Sequence, residues 1–190
     1  MGRRISSFVA IVVLVATPSA TAATLVLRDG TYGPEPYQSW IDTAKVPTPH
    51  GVIRLDLTDN GCDGYVCAYP WEMPPRIVLF LDSFDRYTRY DTLHEVGHVF
   101  SYQHRDSRFR RAFRAIFALR RWNDEWFAQS YSWCALNPNY PAYYNYPGYG
   151  YWPTIRQHRA VCRLIRNSSP LSAPWSHPRL GNLDRFRGRV

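Results

Sequence analysis

The chain predicts an α+β fold, a small sheet packed beside a helix and followed by a mostly helical C-terminal half. Three observations predict it. Two β-type runs, Val-Ile-Arg-Leu-Asp-Leu at 52–57 and Ile-Val-Leu-Phe-Leu at 77–81, fall in the first half. From residue 92 onward helix start and stop signals take over, with helical spacing of Phe109, Phe113, Ile116 and Phe117. The whole fits one domain, because 190 residues with 45% hydrophobic and 20% charged side chains can bury a real core.

Residues 1–22 read as a signal peptide. Arg3 and Arg4 make a positive start, Phe8 to Ala16 a short apolar run, and Ala20-Thr21-Ala22 a small-residue cleavage site, so the mature domain is expected to span 23–190. The apolar run is far shorter than the roughly 20 residues that cross a bilayer, so no transmembrane segment is expected. The residues after Arg3-Arg4 do not strengthen a twin-arginine reading, and ordinary secretion to the extracellular space is the expectation.

After Leu25–Leu27, a proline and glycine stretch leads to a short helix over 38–44, with Trp40, Ile41 and Ala44 on one side and Pro47 and Pro49 beyond it. Residues 52–57 alternate as a half-buried strand does, and 76–82 form a second strand of the same sheet. Asp91 is placed to cap a helix running from Thr92 to about His104. Phe109, Phe113, Ile116 and Phe117 mark an amphipathic helix in the arginine-rich stretch 108–121, whose basic side reads as solvated surface. A further helix starts at Asn123 or Asp124 and runs to about Leu136, where Asn-Pro-Asn stops it. The tyrosine-rich segment 140–151, broken by Pro and Gly, is a loop that could rim a substrate site or simply pack on the domain. Residues 154–166 form the last helix, and a loosely ordered tail is expected from 167.

Cys62, Cys67, Cys134 and Cys162 form no pair of CxxC knuckles, and their even number fits disulfides in an oxidising compartment. The glycine-containing loop 62–67 can bring its ends together, which favours Cys62 with Cys67 and leaves Cys134 with Cys162. Loss of Arg3 and Arg4 lowers the formal charge from +8 to +6, since 1–22 contain no acid. Lys45 is the only lysine, so the charge is arginine. Weak attraction to an anionic cell surface is expected, without specific nucleic-acid binding, and the protein is expected to be a monomer.

The chemistry gathers in His94-Glu95-Val96-Gly97-His98. Histidines four apart on a helix are separated by about 400° of rotation, so both project from one face and can share a metal. Glu95 lies beside that face, where a carboxylate can act as general base. With six His and four Glu in 190 residues, a shuffled chain would carry HExxH in roughly one case in a few hundred. A catalytic zinc needs a third protein ligand and an open position. Downstream of the motif the only glutamate is Glu125, at the start of an expected helix, and small Ala128 one turn on would let that helix come close. His104 is a rival third ligand, six residues after His98.

The chain resembles the zincins, and within them the gluzincins, where a second helix after HExxH carries a glutamate ligand. Glu125-Trp126-Phe127-Ala128 is similar to the corresponding segment of small single-domain gluzincins and lethal-factor-type catalytic domains. The resemblance covers roughly 52–131 and is specific only at the two helices. It implies a zincin-like fold in which Zn²⁺ is held by His94, His98 and Glu125, with Glu95 as catalytic base in Glu-assisted attack of zinc-bound water on a peptide bond. The metzincin pattern that would use His104 requires a glycine where Ser101 stands and a later methionine, which is absent. Gluzincins stabilise the oxyanion with a tyrosine or histidine; Tyr131, Tyr149, Tyr151 and His158 are candidates. Two other readings stay open, a catalytically inactive basic binding protein on the same scaffold and a zinc amidase acting on cell-wall bonds.

Overall fold

The computed structural model describes residues 23–81, 87–104, 106–141 and 150–168. The expected signal peptide, the tail from 169 and most of the tyrosine-rich loop, Tyr149 included, lie outside the described residues. Four strands and five helices follow in the order β1 Thr24–Leu27, α1 Tyr37–Asp42, β2 Val52–Thr58, β3 Cys67–Tyr69, β4 Arg76–Phe80, α2 Thr88–Gln103, α3 Ser107–Phe117, α4 Asp124–Leu136 and α5 Ile155–Asn167. The fold is α+β.

The sheet order is β1-β2-β4-β3, with the first three strands parallel and β3 antiparallel at the edge. The register sets Leu25 beside Ile53, Leu55 beside Ile77 and Leu57 beside Leu79. Alternation therefore collects the branched side chains on one face, where Leu25, Ile53, Leu55, Ile77 and Leu79 are buried. The other face is ionic. Glu72 receives two guanidinium hydrogen bonds from Arg76, at 2.9 and 2.8 Å, and a third from Arg54 at 3.2 Å. Arg76 also lies over the Tyr69 ring at 3.8 Å. Strand β3 was not expected; three residues are too few to show a period, and it forms where the Cys62–Cys67 loop returns along β4.

Helix α2 begins four residues earlier than its sequence predicts. Tyr87 takes the N-cap position, and Asp91 lies in the first turn, where a carboxylate favours the positive end of the helix dipole. Nothing in Thr88-Arg89-Tyr90 breaks a helix, and burying Tyr90 rewards the extra turn. The later caps are side-chain caps. Asp106 accepts from the Arg108 amide, Asn123 from the Trp126 amide, and Thr154 with Gln157 completes a capping box. Helix α3 stops at Phe117, short of the expected Arg121, because Ala118 turns left-handed at φ 53°.

Both expected disulfides are present. Cys62–Cys67 closes the loop before β3, and Cys134–Cys162 staples α4 to α5. Disulfides suit an oxidising compartment. Among the described residues no helix is long and apolar enough to cross a membrane.

Candidate metal centre

Helices α2 and α4 are the most closely associated helices of the fold, and Gly97 lets them meet. A Cβ built on Gly97 would stand 3.0 Å from the Ala128 Cα and 3.0 Å from the Tyr131 Cβ, tight enough that α4 would have to give way. The glycine inside the HExxH segment and the alanine one turn after Glu125 thus form a single contact. It brings the first turn of α4 against the histidines.

There the Glu125 Oε2 lies 3.2 Å from His94 Nε2 and 3.4 Å from His98 Nε2. Four ligands placed tetrahedrally about 2.0–2.1 Å from one ion are about 3.3 Å apart. Both distances from the Glu125 oxygen match that spacing. His94, Glu95 and His98 also present ligand atoms within 4.8 Å of one another. His94 and Glu95 are buried, whereas the Glu125 side chain is 41% exposed and opens the site to solvent.

The far nitrogen of His98 is held from α4 as well. His98 Nδ1 is 2.9 Å from Asp124 Oδ2, and the other oxygen of that carboxylate accepts from Ser101 Oγ at 2.5 Å and from the Trp122 indole at 3.1 Å. In the neutral ring, a proton on Nδ1 toward Asp124 leaves Nε2 with its lone pair on the Glu125 side, free for a metal. Gln129, four residues after Glu125 and fully buried, bears on His94 and favours its charged form. Asp124 was expected only as a possible helix start and Gln129 in no role. Their signal was their place at −1 and +4 around the one downstream glutamate.

The charges of the side chains alone follow from burial and pairing. Burial pushes Glu95 up to about 8, opposed by the His98 charge. For His98 burial acts downward, but hydrogen bonds to Asp124 and Glu125 outweigh it and raise the ring to about 10. Burial also lowers His94, against the pull of Glu125. Glu125 and Asp124 are held below the ordinary carboxylate range, because histidine hydrogen bonds overcome the cost of burial.

The other candidates lie elsewhere. His104, at the C-cap of α2, is buried, stacked on Phe100 at 3.8 Å, with Nδ1 3.0 Å from the Phe100 carbonyl, and it is not in the His94–His98 group. Tyr131 is fully buried and donates to the Pro47 carbonyl at 2.9 Å. The Tyr151 hydroxyl is 2.7 Å from Ser130 Oγ in the packed cluster of Tyr90, Trp133 and Tyr151. His158 donates from Nε2 to the Asn137 carbonyl at 2.7 Å beside Cys162. Cys134, His158 and Cys162 form a second group with metal-like spacing, but both sulfurs are committed to the disulfide.

No family model, curated protein or solved structure matches this chain. The site therefore stands on its own geometry, which brings two imidazoles together with the carboxylates of Glu95 and Glu125.

Proposed function

We propose that this protein is a secreted zinc metallopeptidase in which His94, His98 and Glu125 hold Zn²⁺ and Glu95 is the general base. The observation that carries this reading is the single Glu125 oxygen within 3.4 Å of both histidine Nε2 atoms, contributed by a second helix. Two imidazoles and one carboxylate on a partly open face suit a catalytic rather than a closed structural zinc. The bound ion would polarise a scissile carbonyl and acidify a water.

The protein's own groups do the rest. Asp124 fixes the His98 tautomer and ring direction, and the α2–α4 contact at Gly97 fixes the distance between the histidines and Glu125. Glu95 accepts a proton in its carboxylate form and returns it to the leaving amine. Burial favours the acid form of Glu95, while the His98 charge beside it favours the carboxylate that the base step needs.

Metal analysis of the purified mature chain should give about one zinc per molecule, and chelation should abolish cleavage of a peptide library. Glu95→Gln should keep the metal and lose about 10²- to 10⁴-fold in turnover. Failure to retain metal under zinc-replete conditions would overturn the reading. Cleavage of cell-wall fragments in place of peptides would reassign the substrate and leave the metal site standing.

A further inference from the structure

Helices α3 and α5 carry four arginines each and no acidic residue. They lie side by side and antiparallel. Gln157 near the start of α5 donates to the Ile116 carbonyl near the end of α3, and Leu164 and Asn167 line a pocket with Phe109 and Ala112. Each helix turns its apolar stripe inward, through Phe109 and Phe113 on one and Val161 and Ile165 on the other. Arg108 and Arg111 of α3 and Arg156 and Arg163 of α5 are accordingly exposed on the outer side of this layer. Among the described residues the ion pairs of arginine are those of Arg54 and Arg76 on the sheet, so no carboxylate is paired with an arginine of α3 or α5; Asp106 at the start of α3 is spent on the Arg108 amide.

At the N-terminal end of α5 the basic face meets exposed apolar side chains, with Trp152 at 55% and Ile155 at 42% exposure next to Arg156. We propose that the outer face of α3 and α5 docks on anionic phospholipid headgroups and holds the protein at a membrane surface without crossing it. Guanidinium groups match phosphate oxygens bidentately. An indole and an aliphatic side chain beside them suit the boundary between headgroups and acyl chains. A nucleic-acid strand would instead favour aromatic stacking platforms along a groove, to which an exposed isoleucine adds little. This surface is independent of the metal centre.

The test is co-sedimentation of the mature, metal-replete protein with phosphatidylcholine vesicles, with and without phosphatidylglycerol. Binding is expected only to the anionic vesicles and should weaken as salt shortens the Debye length. The triple variant Arg111→Gln, Arg156→Gln, Arg163→Gln should partition about a hundredfold less. A second variant, Trp152→Ser with Ile155→Ser, keeps the charge and should bind several-fold more weakly at high salt, with an unchanged circular-dichroism spectrum for both variants. Equal binding to neutral vesicles, wild-type partition of both variants, or preference for a single-stranded oligonucleotide over anionic vesicles would overturn the proposal.

Discussion

Helices α2 and α4 meet the core on nearly every side, whereas α3 and α5 bury one stripe each and turn the rest to solvent. Eleven of 16 residues are buried in α2 and nine of 13 in α4, against two of 11 in α3 and four of 13 in α5. A helix enclosed on all sides is expected to be apolar throughout. Yet the inner pair buries Thr88, Thr92, His94, Glu95, Ser101 and Gln129, each of which costs free energy unless paired. The outer pair buries one such group, His158, which donates to the Asn137 carbonyl, and otherwise shows ordinary amphipathic patterning. Polar groups held where burial is unfavourable point to a site; charge spread over a solvated face points to a surface.

The largest expected effect tests the most costly of those groups. With the metal chelated, Glu95 is pushed up to about 8 from an ordinary 4.5, chiefly by burial. A folded-state value above the unfolded one means that its contribution is fully present below about pH 4.5 and is lost as pH rises through 8. Glu95→Gln removes that loss. Thermal unfolding in chelator should show the variant level with the parent at the acid end and clearly more stable above pH 8. An identical pH profile for the two proteins would show that Glu95 is not buried as a carboxyl. The next effect is steric. Gly97→Val places methyl groups where a Cβ alone would already be 3.0 Å from Ala128, and should cost about 3 kcal/mol in urea unfolding.

How much of this was legible follows from what local spacing can determine. His94, Glu95 and His98 share a helix face by helical rotation alone, and Glu125 was the only glutamate left downstream. Ala128 pointed to a close helix contact, but its partner Gly97 emerged only once the two helices were placed. Asp124 was readable as a helix start; that its carboxylate also gathers His98, Ser101 and Trp122 depends on how α4 is rotated against α2. Tyr131, Tyr151 and His158 have the chemistry to stabilise an oxyanion, but all three spend it on core hydrogen bonds. The one-sided sheet was visible in the alternation of β2, whereas β3 depends on a disulfide and a neighbouring strand.

A smaller effect is expected at the edge of the inner pair. Asp124→Ala leaves Ser101 and Trp122 without this acceptor and frees the His98 ring to turn. Zinc affinity measured by competition with a chromophoric chelator should fall about 10- to 100-fold, the usual cost of losing a carboxylate behind a metal-binding histidine. An unchanged affinity would mean that packing alone orients His98.

The smallest effect belongs to the outer pair. Arg111 and Arg163 are exposed and have no carboxylate partner among the described residues, so replacing either with Gln removes no ion pair. Stability should change by less than about 0.5 kcal/mol in urea unfolding. Eight arginines on two adjacent helices without an acid repel one another, and that repulsion is screened by salt. Added salt should therefore raise the melting temperature of the parent slightly, and the rise should shrink in the double variant Arg111→Gln, Arg163→Gln. If the parent instead melts lower in salt, attractive pairs must outweigh the repulsion on this face, and the contrast between a polar interior kept for a site and a basic exterior kept for a surface would lose its second half.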